Sequence, residues 1–282
     1  QSFAKIIISS SVNGPQSVYS TDLDGDGDMD VLSASEYDDI EWYENDGSQN
    51  FNTNIVSTTS DRASCVYSVD FDGDGDMDVL SSSSGDDKVA WHENDGAQNF
   101  TENSIISAPN GVISVFDVDL DLDGDKDVIS ANSLENEIAF YENDGHQNFT
   151  HHQISSNVDY VSSVYAIDME GDGDIDVFSA CQIDDKISWH ENDGNQNFTE
   201  HIISTSADGA VFVYAVDMDG DGDIDVVSSS QTDDKIAWYE NDGNQNFTEQ
   251  IVVSSFGQFT NFLKTIYDMD GDGDMDVLAT YN

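Results

Sequence analysis

Apolar and polar positions in this chain alternate over short runs, and the runs recur. From Val211 onward the segments VFVYAVD, DVVSSSQ, KIAWYEN and QNFTEQIVVS each have the period-two pattern of a strand. The first segment has counterparts at Val18-Tyr19, Val66-Tyr67, Val115-Phe116, Val164-Tyr165 and Val213-Tyr214. The third carries Trp42, Trp91, Phe140, Trp189 or Trp238, and an Asn-Asp-Gly hairpin signal follows it. The fourth begins at Phe51, Phe100, Phe149, Phe198 or Phe247. Helical periodicity is absent, and the chain has only 2 prolines. Four antiparallel strands in a repeat of about 49 residues predict an all-β fold, with each repeat a β-propeller blade. In KIAWYEN the Trp and the following Tyr or His point to opposite faces, so both rings are expected in the core between blades. A sugar-stacking platform is the alternative for the Trp positions.

Between the first and second strands stands an acidic motif, six times. It reads DLDGDGDMDV from Asp22, DFDGDGDMDV from Asp70, DLDLDGDKDV from Asp119, DMEGDGDIDV from Asp168, DMDGDGDIDV from Asp217 and DMDGDGDMDV from Asp268. In the first loop Asp22, Asp24, Asp26 and Asp30 occupy positions 1, 3, 5 and 9. Asp28, at position 7, would offer its carbonyl oxygen and leave its side chain in solvent. The same five places hold Asp70, Asp72, Asp74, Asp76 and Asp78 in the second loop. They hold Asp119, Asp121, Asp123, Asp125 and Asp127 in the third, and Asp168, Glu170, Asp172, Asp174 and Asp176 in the fourth. The fifth has Asp217, Asp219, Asp221, Asp223 and Asp225; the sixth has Asp268, Asp270, Asp272, Asp274 and Asp276. Carboxylates at this density repel one another unless a cation sits among them. Oxygen ligands at alternate positions of a glycine-rich turn suit Ca2+, so about six ions are expected, one per repeat. An EF-hand would need a Glu at position 12 and flanking helices; here position 12 is Ser33 and the flanks alternate like strands. Metal-free acidic turns are the competing reading, and six copies at one spacing weigh against it. Two loops depart from the pattern: Leu122 replaces the first Gly of the third, and Glu170 replaces Asp in the fourth.

Composition narrows the partners. The chain has 7 basic and 59 acidic residues and a formal charge of −52, which six Ca2+ ions would reduce to about −40. Such a field repels nucleic acid and anionic membrane, and no apolar run approaches a membrane span. The charge alone would suggest disorder, but 37% hydrophobic and 10% aromatic residues in regular positions argue for a folded core. The chain begins at Gln1 without an initiator Met or signal peptide, as a processed chain or an excised fragment would. Calcium loops fit the millimolar calcium outside cells, so an extracellular location is expected. Cys65 and Cys181 fall at different positions of their repeats and are expected to be unpaired, buried thiols. Asn99, Asn148, Asn197 and Asn246 open NFT sequons, although repetition of one turn explains them equally well. His151-His152 is unique to its repeat and is read as an exposed strand or turn position.

These loops, with the W-[YH]-E-N-D-G segments, resemble the FG-GAP or VCBS-type calcium-loop repeat. That repeat builds the integrin alpha-chain propeller, certain fungal propeller lectins and many long secreted bacterial proteins. The resemblance covers essentially the whole chain. It implies that the loops join the first two strands of each blade and bind structural Ca2+. ENDG-x-QNF stands where related repeats vary, so integrin-like ligand binding is not carried over.

The expected architecture is one domain, residues 1–282: a six-bladed propeller whose sixth blade is incomplete. Its third strand is missing, and Gln1–Ser9, which matches QNFTEQIVVS, would close the ring as an outer strand. The unpaired edge left behind suggests contact with another copy or a neighbouring domain, and head-to-tail contacts would build a filament. The functional expectation is an extracellular structural or adhesive module, with a carbohydrate-binding lectin as the alternative. An enzyme is disfavoured: acidic residues repeated in every blade lack the differing environments of a catalytic pair. No Ser-His-Asp set, phosphate loop or HExxH motif is visible.

Overall fold

In the computed structural model, described for residues 6–37, 39–107, 110–254, 263–268 and 275–279, every regular element is a β-strand. The first sheet contains β1 (Pro15–Thr21), β2 (Asp30–Ser35), β3 (Ile40–Asn45) and β4 (Phe51–Ser57). The second contains β5 (Ala63–Val69), β6 (Asp78–Ser83), β7 (Lys88–Asn94) and β8 (Phe100–Ser107). The third has β9 (Val112–Val118), β10 (Asp127–Asn132), β11 (Glu137–Asn143) and β12 (Phe149–Ser155). The fourth has β13 (Val161–Ile167), β14 (Asp176–Cys181), β15 (Lys186–Asn192) and β16 (Phe198–Ser204). The fifth has β17 (Ala210–Val216), β18 (Asp225–Ser230), β19 (Lys235–Asn241) and β20 (Phe247–Ser254). In all five the strands lie in sequence order. A two-stranded sheet of β21 (Leu263–Tyr267) and β22 (Asp276–Ala279) follows.

The repeat is kept down to irregularities. The first strand of the first, second, fourth and fifth sheets, and β21, carries a register shift near its start, as at Ala63/Cys65 and Ala210/Phe212. Such bulges add local twist. The second strand is buried on both faces, which is why it combines aliphatic residues with serine. Those serines serve the ring on the third strand: Ser81 Oγ lies 2.9 Å from His92 Nε2 and Ser179 Oγ lies 3.0 Å from His190 Nε2. Ser130 and Ser228 donate to the hydroxyls of Tyr141 and Tyr239 at 3.3 and 3.4 Å. Both rings of the pair are core in the second sheet, where Trp91 is 2% exposed and His92 0%, whereas Trp238 of the fifth sheet is only partly buried.

The chain divides into two compact units, Gln1–Asp117 with Asn143–Thr150, and Val118–Glu142 with His151–Asn282. In the first, Leu32, Ile40 and Trp42 of one sheet pack with Ala63, Val66 and Val79 of the next. In the second, Phe178, Ile187 and Trp189 pack with Ala210, Val213 and Tyr239. β22 joins that unit through Val277 and Ala279, packed near Val227 and Ile236. Ile6–Ser9, expected in the closing strand, carry no strand pairing; the rest of that expected segment and the chain end at Tyr281-Asn282 lie outside the described residues.

Candidate metal centres

Each acidic loop connects the first two strands of its sheet, and strands flank it where an EF-hand would have helices. The loop is wound by its own carboxylates. Position 1 accepts the N–H of the second glycine: Gly27 to Asp22 at 3.0 Å, Gly75 to Asp70 at 3.2 Å, Gly124 to Asp119 at 3.1 Å. Gly173 to Asp168 and Gly222 to Asp217 do the same at 3.0 Å. Leu122, in place of the first glycine of the third loop, takes the left-handed conformation at φ 63°, so this loop keeps the common shape at a backbone cost.

Position 9 is the anchor. Asp30, Asp78, Asp127, Asp176 and Asp225 are at most 1% exposed. One oxygen of each accepts the position-2 backbone N–H, as from Phe71 to Asp78 at 3.0 Å. The other accepts the N–H of the Asn ending the third strand: Asn45, Asn94, Asn192 and Asn241, at 2.7–2.8 Å. The side chains of these asparagines donate to the position-8 carbonyl of the loop, Met77 in the case of Asn94 at 3.0 Å. This clamp was not apparent in the sequence, where ENDG reads only as a turn.

Positions 1, 3 and 9 converge. In each of the first five loops these three side chains place one oxygen apiece within 4.8 Å of one another: Asp22, Asp24 and Asp30; Asp70, Asp72 and Asp78; Asp119, Asp121 and Asp127; Asp168, Glu170 and Asp176; Asp217, Asp219 and Asp225. Asp22 Oδ1, Asp70 Oδ1, Asp119 Oδ1 and Glu170 Oε2 are buried atoms without a hydrogen-bond donor. A buried acceptor left unmatched is costly, and crowded oxygens of this kind are the donor set a hard divalent cation takes. Burial, followed by the neighbouring acids, holds Asp24, Asp72 and Asp121 above the usual carboxylate range. Burial raises Asp78 and Asp225 as well. Glu170 and Asp176 are both raised, chiefly by burial, and share a close contact. The indole N–H groups of Trp91, Trp189 and Trp238 lie near enough to Asp78, Asp176 and Asp225 to oppose that rise. None of them reaches hydrogen-bond geometry.

Positions 5 and 7 lie outside the convergent trio. Position 5 turns back on the loop: Asp26, Asp74, Asp123, Asp172 and Asp221 accept the N–H of position 7 at 2.9–3.0 Å. Position 7 departs from the sequence expectation. Its side chain is not left in solvent but lies over the glycine of the Asn-Asp-Gly turn. A Cβ on Gly47, Gly96, Gly194 or Gly243 would sit 2.5–2.6 Å from an oxygen of Asp28, Asp76, Asp174 or Asp223. In the sixth loop Asp268 and Asp276 are described, with Asp276 paired to Tyr267, while Asp270, Asp272 and Asp274 lie outside the described residues.

Other singled-out residues are absorbed by packing. Asn99, Asn148, Asn197 and Asn246 each donate their side-chain amide to the turn aspartate, as Asn99 to Asp95 at 2.9 Å. Asn50, which opens no sequon, makes the same bond to Asp46 at 2.8 Å, so the turn accounts for the residue. These bonds hold Asp46, Asp95 and Asp144 below the usual carboxylate range. His151 faces Glu137 at 3.3 Å, with its polarity reversed relative to Lys88–Glu102, Lys186–Glu200 and Lys235–Glu249, each 2.8 Å. Cys65 and Cys181 are buried free thiols, as expected. In the second unit a cavity of about 620 Å³ is lined by Glu170, Trp189, Glu191, His201, Asn244 and Phe247, among others. His201 stacks on Trp189 at 4.5 Å and bonds Glu191 at 2.7 Å.

Tandem four-stranded sheets with an acidic loop on each first hairpin define a class of repeat protein, and comparison places the chain within it. Residues 22–81, 70–129, 119–179, 168–228 and 217–279 match the FG-GAP-like repeat, and the chain belongs to that family. Among solved structures it is similar to an Agrocybe aegerita lectin studied for recognition of non-reducing terminal N-acetylglucosamine. The TM-score is 0.60 at 18% identity, over 86% of this chain and 67% of the lectin. It is also similar to BBS1N, solved in complex with ARL6DN, with a TM-score of 0.53 and 8% identity over 93% of this chain and 87% of that one. The V. cholerae biofilm matrix protein Bap1 gives 0.49 and 17% over 85% of this chain, which spans 39% of Bap1. At these identities the first two likenesses show the fold, which fits an FG-GAP propeller. No curated protein matches the chain in sequence. Among the described residues no helix is long and apolar enough to cross a membrane.

Proposed function

We propose that this chain is an extracellular, calcium-stiffened propeller module with a structural or adhesive role, six-bladed and closed through its two ends. The observation that carries the reading is the sameness of the loops. Five of them present the same trio of carboxylates, and four of the five hold a buried oxygen with no donor. Ca2+ held by positions 1, 3 and 9 would supply the missing counter-charge and join the two strands the loop connects. A site repeated in five sheets would brace the fold throughout and singles out no repeat as a functional centre. We assign no catalysis. The Ser81–His92 and Ser179–His190 contacts are sealed in the core, out of reach of any substrate. Among the described residues the last sheet has two strands, and a second copy or an adjoining domain would add to it in a head-to-tail array. The test is a thermal melt with and without chelator, joined to metal analysis and particle sizing in calcium. A lower melting temperature on chelation, bound calcium and particles larger than one chain support the reading. An unchanged melt with no calcium bound would sink it, and a strictly monomeric particle would remove the assembly.

Carbohydrate binding is the second reading, favoured by the cavity beside Trp189, which combines aromatic, amide and carboxylate walls. There Glu191, His201 and Asn244 would bond hydroxyls. A glycan array with the wild type and His201→Ala tests it, and signals that the substitution leaves unchanged would exclude this cavity.

A further inference from the structure

In the five four-stranded sheets the strand pairing brings a second carboxylate to the level of the anchor. In the second sheet Leu80 pairs with Trp91 and Val79 with His92, and Asp78 and Glu93 are the next residues of the two strands beyond that last pair. Asp30 and Glu44, Asp127 and Glu142, Asp176 and Glu191, and Asp225 and Glu240 hold the same places, one step beyond the last pair of their strands. Like charges facing each other across a strand pair are destabilising, yet five sheets repeat the arrangement. The glutamate is held in place from the fourth strand: Asn54 and Asn103 donate to Glu44 and Glu93 at 3.4 Å, and Gln250 donates to Glu240 at 3.2 Å. His152 and His201 lie 2.8 and 2.7 Å from Glu142 and Glu191. On the same face, two residues back, stands the indole of Trp42, Trp91 or Trp189. Each is at most 4% exposed, and its N–H has no partner. In the second unit Glu170, at loop position 3, and Glu191 line one cavity.

We infer that Glu44, Glu93, Glu142, Glu191 and Glu240 form an outer carboxylate of the cation sites, positioned by the fourth strand to hold a cation-bound water from outside the loop. These glutamates are outside the convergent trio, so the role assigned to them is an outer, water-mediated one and not direct ligation. The fields of Glu44, Glu93 and Glu142 reach the position-3 aspartates and add to the rise in their pKa. A cation between anchor and glutamate resolves the opposition that the register imposes. Partners of this outer kind commonly change metal affinity by about 10- to 100-fold.

The inference rests on the calcium reading, and the test separates the two. Trp42→Phe, Trp189→Phe and Trp238→Phe together leave Trp91 as the sole indole; phenylalanine already fills this place at Phe140. Terbium emission sensitised by Trp91, competed with Ca2+, then reports the second loop alone. Glu93→Gln keeps the acceptor for Asn103 but removes the charge. It should raise the Ca2+ midpoint about tenfold, with an unchanged circular dichroism spectrum. Glu102→Gln removes one charge from the opposite face, where Glu102 pairs with His92, and should leave the midpoint nearly unmoved. An unchanged midpoint in Glu93→Gln overturns the inference and leaves calcium binding standing. Absence of sensitised emission and of bound calcium in the parent overturns both. Should Glu93→Gln fail to fold, Glu93→Asp, which retracts the charge by one methylene, is read against the same criterion.

Discussion

The carboxylate of Asp78 accepts the backbone N–H of Asn94 at 2.7 Å, from the far end of the neighbouring strand. Its other oxygen accepts the N–H of Phe71 at 3.0 Å, and the side chain is wholly buried. One residue thus ties the start of the loop to the end of the next hairpin, independent of any ion.

Asp78→Ala should therefore destabilise the fold even in chelator. It strands two buried N–H groups, each worth about 1–3 kcal/mol when unmatched. Asp78→Asn keeps one acceptor and should cost less. Urea unfolding in the presence of chelator measures both, and equal losses would show that the two hydrogen bonds are not the cause.

Gly96 is under two constraints: φ is 72°, and a Cβ would meet Asp76 Oδ2 at 2.5 Å. The left-handed conformation alone costs a non-glycine residue about 1–2 kcal/mol. Gly96→Ala should cost more than that, and Asp76→Ser in the same chain should restore the excess. A double-mutant cycle that comes out additive would place the Asp76 side chain elsewhere.

Burial lowers His92 and His190 to about 4, with Glu102 and Lys88 acting in opposite senses on His92, and Glu200 and Lys186 doing so on His190. Between pH 6.5 and about 4 the unfolded chain binds more protons at these residues than the folded chain does. Their contribution is therefore complete above pH 6.5 and is lost as pH falls toward 4, by about 3 kcal/mol per residue. Tyrosine fills the same place at Tyr141 and Tyr239. His92→Tyr with His190→Tyr should flatten this part of the stability profile relative to wild type, measured in one chelating buffer series. Parallel profiles would contradict the assignment.

Trp91→Ala should cost about 3–5 kcal/mol, as for other large buried side chains, and Trp91→Phe far less. A stable Trp91→Ala variant would return the indole to the pool of candidate ligand contacts.

The sequence by itself determined the repeat, the four strands within it and the acidic loop on the first hairpin. Each is a local pattern: period-two alternation, glycines where the chain turns tightly, and carboxylates at alternate positions. The core role of Trp91 and His92 followed from the same alternation, and the unpaired thiols from the different places of Cys65 and Cys181 in their repeats. It did not determine which of the five acidic positions in a loop converge. Positions 1, 3 and 9 gather, position 5 caps its own turn, and Asp28 lies across Gly47. Nor did it reveal that Glu93 comes to the level of Asp78, one step beyond the paired Val79 and His92, or that Glu137 and His151 reverse the ion pair seen at Lys88 and Glu102. These are cross-strand relationships between residues about 15 positions apart. They are fixed by hairpin register and bulges, which local alternation does not encode, so only the paired sheets bring such side chains together.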